Sequence, residues 1–181
     1  MLLPNHLTDP ILEWALNEDI RNKFFISPGP KLAGHVCGIP HCEEFDQSRL
    51  DSGFPYKEVF LAHQLILKEY NLPKDLPLDK EFGVLLSYSE SGHKVQTHSD
   101  PSPPGKVHTR FNCLLSKPDK GGEAIIDGKV IETEENEVWV CAAGMYQHSS
   151  VTVEGLKPRL LLSIGHYIDL WQIKDILNEK H

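Results

Sequence analysis

Residues 123–131, EAIIDGKVI, set two short runs of branched apolar residues on either side of Asp127-Gly128. An Asp-Gly pair in that position signals a tight hairpin, because both turn residues must take a positive φ and glycine does so without steric cost. The hairpin has neighbours of the same kind. Upstream stand EFGVLLSY, HKVQTH and VHTRFNCLL; downstream stand EVWVCAA and PRLLLSIGHYI. All are short, rich in branched or aromatic residues, and bounded by Gly, Pro or Asp. Such spacing predicts an antiparallel β-sandwich or barrel.

The amino-terminal part reads differently. From Asp9 to about Arg21 the apolar residues Ile11, Leu12, Trp14, Ala15 and Leu16 recur at helical spacing. Thr8 and Asp9 stand as possible caps and Pro10 at a first-turn position. Lys57 to Tyr70 is apolar around most of its circumference (Val59, Phe60, Leu61, Leu65, Ile66, Leu67). That predicts a helix largely covered by neighbours. Between them SPGPKLAGHVCGIPHC is dense in Gly and Pro and reads as turns joining short extended pieces. The closing IDLWQIKDILNEK reads as a helix. One domain of 181 residues is expected: a helical part over about 1–78, a β core over about 79–168 and a terminal helix over about 169–180. The class is mainly β with flanking α-helices.

Composition excludes several partners. A formal net charge of −8 with no basic stripe argues against nucleic acid, whose binding draws on clustered Lys and Arg. No apolar run approaches the roughly 20 residues a membrane span needs. The start, MLLPNHLTDP, carries neither a secretory nor a transit pattern, so a cytoplasmic location is expected. Cys37, Cys42, Cys113 and Cys141 are read as reduced thiols.

The informative tripeptide is His98-Ser99-Asp100. On a strand, residues two apart share a face, so His98 and Asp100 converge while Ser99 turns away. Alone, the pair reads first as a hydrogen-bonded strand end. His148 follows Asp100 by 48 positions (148 − 100), at the end of the strand-like NEVWVCAAGMY, and Arg159 follows His148 by 11 (159 − 148). Two imidazoles and one carboxylate leave three adjacent positions open on an octahedral ferrous ion, which suits a bidentate 2-oxo acid together with oxygen.

In that order of residues, with Tyr88 and Gly92 upstream, RFNCLLS, the Gly121-Gly122-Glu123 turn, and Val151, Val153 and Gly155 leading to Arg159, the sequence resembles the iron(II)/2-oxoglutarate-dependent dioxygenases, in their prolyl hydroxylase-like branch. The resemblance spans about residues 82–167. It implies a double-stranded β-helix, the jelly-roll or cupin-like core, with His98, Asp100 and His148 as catalytic metal ligands. It implies Fe(II), 2-oxoglutarate as cosubstrate, and O2. Iron(II) with the Asp100 carboxylate carries one net positive charge, and the 2-oxoglutarate dianion turns the site negative. Arg159 offers a planar fork that grips the distal carboxylate; Lys157 is the competing cation. Arg159 is preferred because Pro158 precedes the strand and Arg159, Leu161 and Ser163 then share its inner face. Arg110 and Asn112 resemble the Arg-x-His pair of aspartyl/asparaginyl hydroxylases, with Asn in place of His. Tyr88 resembles the prolyl hydroxylase tyrosine near the cosubstrate, and Ser163 is a further candidate contact.

The implied reaction is hydroxylation of a C–H bond with release of succinate and CO2, on a small amino-acid-like metabolite or a short peptide. Desaturation or ring closure would use the same ligands. The retained Asp100 argues, by family analogy, against halogenation. Two rivals stand beside this reading: a cupin-like metal enzyme without 2-oxoglutarate, which has no need of Arg159, and a non-catalytic jelly-roll ligand-binding protein. Oligomeric state is unread. His35, Cys37, His41 and Cys42 lack the second separated pair a structural zinc site needs. His93, His108 and His166 read as surface or outer imidazoles, with His166 out of phase with Arg159. Pro101-Ser102-Pro103-Pro104-Gly105 is read as a wall or lid above the metal.

Overall fold

The computed structural model describes residues 1–27, 34–39, 47–80 and 83–178. Helices come first. α1 (Asn5–Leu16) and α2 (Glu18–Phe24) are two helices where one from Asp9 was expected. Asn17 breaks the run: its backbone is extended and its side chain accepts hydrogen bonds from Asp19 N and Ile20 N, capping α2. The start also lies earlier, at Asn5 after Pro4, which leaves Pro10 inside α1. β1 (His35–Ile39) is one of the short extended pieces, and α3 (Gln47–Asp51) follows. α4 (Tyr56–Glu69) ends where Asn71 takes a positive φ of 51°. It is less covered than its composition suggests. Val59, Ala62, Ile66 and Leu67 are buried, whereas Phe60 and Leu61 are 48% and 38% exposed.

The β core begins with β2 (Val84–Ser89) and β3 (Lys106–Ser116), continues through β4 (Ala124–Ile126), β5 (Lys129–Ile131), β6 (Val138–Cys141) and β7 (His148–Ser150), and ends with β8 (Arg159–Asp169) and α5 (Leu170–Asn178). Five strands form one sheet in the order β1-β2-β8-β3-β6 and three form a second, β5-β4-β7. All named pairings are antiparallel. The sequence-predicted jelly roll, a double-stranded β-helix with flanking helices, is the architecture observed.

β3 and β8 are buried almost along their whole length. The reason is that both faces of the large sheet are covered. Phe111 of β3 meets Tyr70 at the end of α4, ring centroids 5.0 Å apart, on the helical side. Arg110 and Asn112, on the alternate phase, face the cavity between the sheets. The β4–β5 turn is as expected: Asp127 and Gly128 have φ of 51° and 74°.

Two strand expectations need correction. HKVQTH forms no continuous strand; it touches the 148–153 run at separated points, through Val153 N to His93 O, Ser150 N to Val95 O and the His98–His148 bridge. His148 does not end the strand holding Trp139. It opens β7, a strand too short to show in the sequence, after the turn that follows Cys141.

Candidate metal centre and its cavity

His98 and His148 face each other across an antiparallel bridge, with both backbone N–H groups donating to the opposite carbonyl at 3.1 and 2.8 Å. Asp100 lies beyond the bridge, outside any strand, where its backbone N–H donates to Ala143 O at 2.9 Å. The three side chains converge. One ligand atom from each lies within 4.8 Å of the others, and His98 Nε2 is 3.5 Å from Asp100 Oδ1. Among the described residues no other group of His, Cys, Asp and Glu meets that standard.

The donor set fits a divalent transition metal with open positions. His98 Nδ1 stands 2.7 Å from Gln96 O and His148 Nδ1 3.4 Å from Tyr146 O. A ring that donates from Nδ1 keeps its lone pair on Nε2, which is the tautomer a metal requires. Burial lowers the His148 pKa, and the neighbouring His98 adds to the effect, so His148 is neutral. For Asp100 burial acts upward, but His108, whose Nδ1 is 2.9 Å from Oδ2, outweighs it and the carboxyl titrates below its ordinary range. The site thus offers two imidazole nitrogens and a carboxylate.

Around it the cavity is lined by Leu85, Ser87, Val95, Ile126 and Trp139 among others, together with Arg110, Asn112, Arg159 and Ser163. Asn112 and Ser163 are opposite each other in register, and Ser163 Oγ donates to Asn112 Oδ1 at 2.7 Å. Arg159 is 4% exposed. Burial brings its pKa down to about 10, partly offset by Glu123, so it is a cation at neutral pH. Yet no acid among the described residues reaches ion-pair distance of its guanidinium. The Gly121-Gly122 turn makes room for it: a Cβ on Gly122, whose φ is +80°, would lie 3.0 Å from Arg159 Cδ.

Lys157 is elsewhere. Its Nζ is 2.6 Å from Glu135 Oε1, and the lysine side chain is about half exposed and outside the cavity lining. Arg110 lines the cavity but is engaged by Asp79, with Nη1 3.2 Å from Oδ2. Tyr88 is not among the lining residues, which corrects its expected place. Leu85 and Ser87 hold the inward phase of β2, so Tyr88 turns to the helical side, edge-on to Phe25 and beneath the Arg21 guanidinium.

The Pro101–Gly105 segment is exposed and outside the lining, so it is a connection and not a wall. Its Ser102 Oγ accepts from His108 N at 2.9 Å. His166, out of phase with Arg159, is fully buried against His63 on the helical side. His93 packs near the His35 ring. His41 and Cys42 lie outside the described residues. Cys37, Cys113 and Cys141 are buried, and burial pushes the latter two thiols up to about 12. No described helix is long and apolar enough to cross a membrane.

No protein-family model matches this sequence, and no curated protein matches it. Solved structures do. A viral collagen prolyl hydroxylase from Paramecium bursaria Chlorella virus-1, determined with 2-oxoglutarate, superposes with a TM-score of 0.57 at 13% identity over 91% of this chain and 92% of the other. A Pseudomonas putida prolyl-4-hydroxylase gives 0.58 at 15% identity over 93% and 89%. A prolyl hydroxylase from Trichoplax adhaerens, in complex with a hypoxia inducible factor peptide fragment, gives 0.63 at 13% over 94% and 82%. The fold is the prolyl hydroxylase fold. At these identities the likeness concerns the fold, and within that fold the cavity between the two sheets is where His98, Asp100, His148 and Arg159 meet.

Proposed function

We propose that this chain is an iron(II)- and 2-oxoglutarate-dependent dioxygenase that hydroxylates a C–H bond of an amino-acid-like metabolite or a peptidyl residue. The observation that carries the reading is a metal-binding triad and an acid-free buried arginine in one cavity. His98, Asp100 and His148 would hold the iron. Iron(II) supplies, when bound, the oxidative decarboxylation of 2-oxoglutarate by O2, in which one oxygen atom enters succinate and the other the substrate, with CO2 released.

The chain's own residues set the geometry. Arg159 grips the distal carboxylate through a bidentate, charge-assisted contact, strengthened by the low dielectric around it. Asn112 and Ser163 stand beside it as hydrogen-bonding neighbours, while Leu85, Val95, Ile126 and Trp139 keep water from the rest of the cavity. A cupin-like enzyme acting without 2-oxoglutarate leaves Arg159 without a task. The described elements work as one catalytic unit, with α1 to α4 buttressing the large sheet. The Trichoplax enzyme's peptide supports peptides as one substrate class beside free amino acids.

The test is anaerobic loading with Fe(II) and 2-oxoglutarate, then exposure to oxygen with panels of amino acids and proline-containing peptides, following succinate and a product one oxygen heavier. His148→Ala should abolish turnover and weaken metal retention after dialysis while circular dichroism stays that of the wild type. Wild-type iron content in that variant would overturn the ligand assignment.

A further inference from the structure

Asp79, between α4 and β2, is a fully buried carboxylate that the reading above leaves without a role. Its Oδ1 accepts from Gly83 N at 3.1 Å. Its Oδ2 is 3.2 Å from both Arg110 Nη1 and His108 Nε2. The other nitrogen of that ring, His108 Nδ1, is 2.9 Å from Asp100 Oδ2, an ion-pair distance bent away from a straight hydrogen bond. A side-chain chain therefore runs Asp79, His108, Asp100. The two oxygens of Asp100 are divided between different neighbours: Oδ2 toward His108, and Oδ1 toward His98 Nε2 at 3.5 Å.

Burying such groups is costly unless each is paired, so the surrounding backbone must be shaped for them. It is. A Cβ on Gly165 would overlap both Asp79 Oδ2 and Arg110 Nη1, so this strand glycine is a space for the pair. A Cβ on Gly144 would overlap Ser102 Oγ and stand 3.0 Å from His108 N. Gly144 N itself donates to His108 O at 2.9 Å. His108 is thus held at its backbone N–H and C=O and at Nε2, with Nδ1 at ion-pair distance of Asp100.

We propose that His108, backed by Asp79, is a positioning residue that fixes the rotation of the Asp100 carboxylate so that it offers Oδ1 alone to the metal. The inference rests on Asp100 being a metal ligand. With Oδ2 engaged by His108, the carboxylate cannot chelate through both oxygens, and the position beside it stays open for the bidentate cosubstrate.

Co(II) alone, titrated calorimetrically into the full chain and followed by its visible absorption, reads affinity and coordination number without turnover. His108→Leu should weaken Co(II) binding roughly ten- to hundred-fold and change the absorption intensity. Two further variants separate positioning from packing. His108→Asn keeps a donor at the place of Nδ1, toward Asp100; His108→Gln keeps one at the place of Nε2, toward Asp79. Positioning requires Asn to recover more of the affinity and the spectrum than Gln, whereas mere filling of the space ranks Gln at least equal. Gly165→Ala should weaken Co(II) binding several-fold by displacing Asp79 while leaving every ligand in place.

Asp100→Ala keeps the two readings apart. If it binds Co(II) like the wild type, the metal site itself is wrongly assigned. If it loses Co(II) while the Leu and Gln variants match the wild type in affinity and spectrum, the relay alone fails. Should His108→Leu lose its circular dichroism signal, the Asn and Gln ranking decides.

Discussion

Arg110 and Arg159 lie on the inner face of neighbouring strands, both buried, and they are balanced in opposite ways. Arg110 has its counter-ion in the chain: Asp79 Oδ2 at 3.2 Å, with Gly83 O accepting a second bond at 3.2 Å. Among the described residues, Arg159 has only Glu123 acting on it, from beyond contact. A buried cation whose counter-ion is supplied by the fold belongs to the fold. One without it fits the proposed role of holding an anion from outside, and on that proposal the difference separates a structural arginine from a binding arginine of similar burial.

Breaking the first pair should have the largest effect. Arg110→Met takes the guanidinium away from the buried Asp79 carboxylate, leaving it to His108 and Gly83 N, and should cost about 3–5 kcal/mol of stability, read from urea unfolding. Arg159→Leu should do the reverse. Its stability is expected to equal or exceed the wild type, since a desolvated charge is removed, while anaerobic 2-oxoglutarate affinity falls by on the order of 2–5 kcal/mol with Fe(II) binding retained. If Arg159→Leu unfolds as readily as Arg110→Met, the contrast between the two arginines is wrong.

Acid provides a finer probe. His63 and His166 meet through their Nε2 atoms at 3.0 Å, and His166 Nδ1 lies 2.9 Å from Pro77 O. Burial, first of all, lowers both to about 4, with Arg110 and His108 also holding His166 down and Asp79 acting upward. The unfolded chain takes these protons near 6.5, so it binds more protons than the folded one between there and about 4. Stability is therefore complete above about 6.5 and falls as pH drops through that window, by urea midpoints at successive pH values. The fall should be shallower in Arg110→Met, where a charge opposing His166 protonation is gone, and undiminished in Arg159→Leu. Smallest of all is Lys157→Leu. Its pair with Glu135 is solvent-exposed, so stability should move by less than about 0.5 kcal/mol and 2-oxoglutarate binding should not change. A large loss of cosubstrate binding there would reassign the cation.

The sequence made the inner phase of β8 readable, because Pro158 marks the strand's start and alternation then carries Arg159, Leu161 and Ser163 to one side. The same rule separates Arg110 and Asn112 from Phe111. Tyr88 was placed by the family resemblance alone, and alternation could not have checked it, because strand phase cannot be anchored in VLLSYS, where apolar residues fill both faces; Ser87, one position away, holds the cavity phase. β7 escaped notice since three residues carry no periodicity, and its pairing to β4 is a long-range event. Asp79 and its link to His108 were equally hidden, since the two lie 29 positions apart in the sequence. Gly165 was the available signal. A glycine inside an otherwise bulky strand marks a close approach, and the approach here is a pair of side chains.

The Asp127-Gly128 tip offers a practical handle. A Cβ at Gly128 meets nothing within 4 Å, while Ile126, two residues back along β4, lines the cavity. An environment-sensitive dye attached through a cysteine at the exposed Lys129 would sit at the end of a two-strand hairpin whose β4 residues Ala124 and Ile126 line the cavity. Filling of the cavity should then register as an optical signal, turning the hairpin into a built-in reporter for ligand screening that needs neither turnover nor a known product.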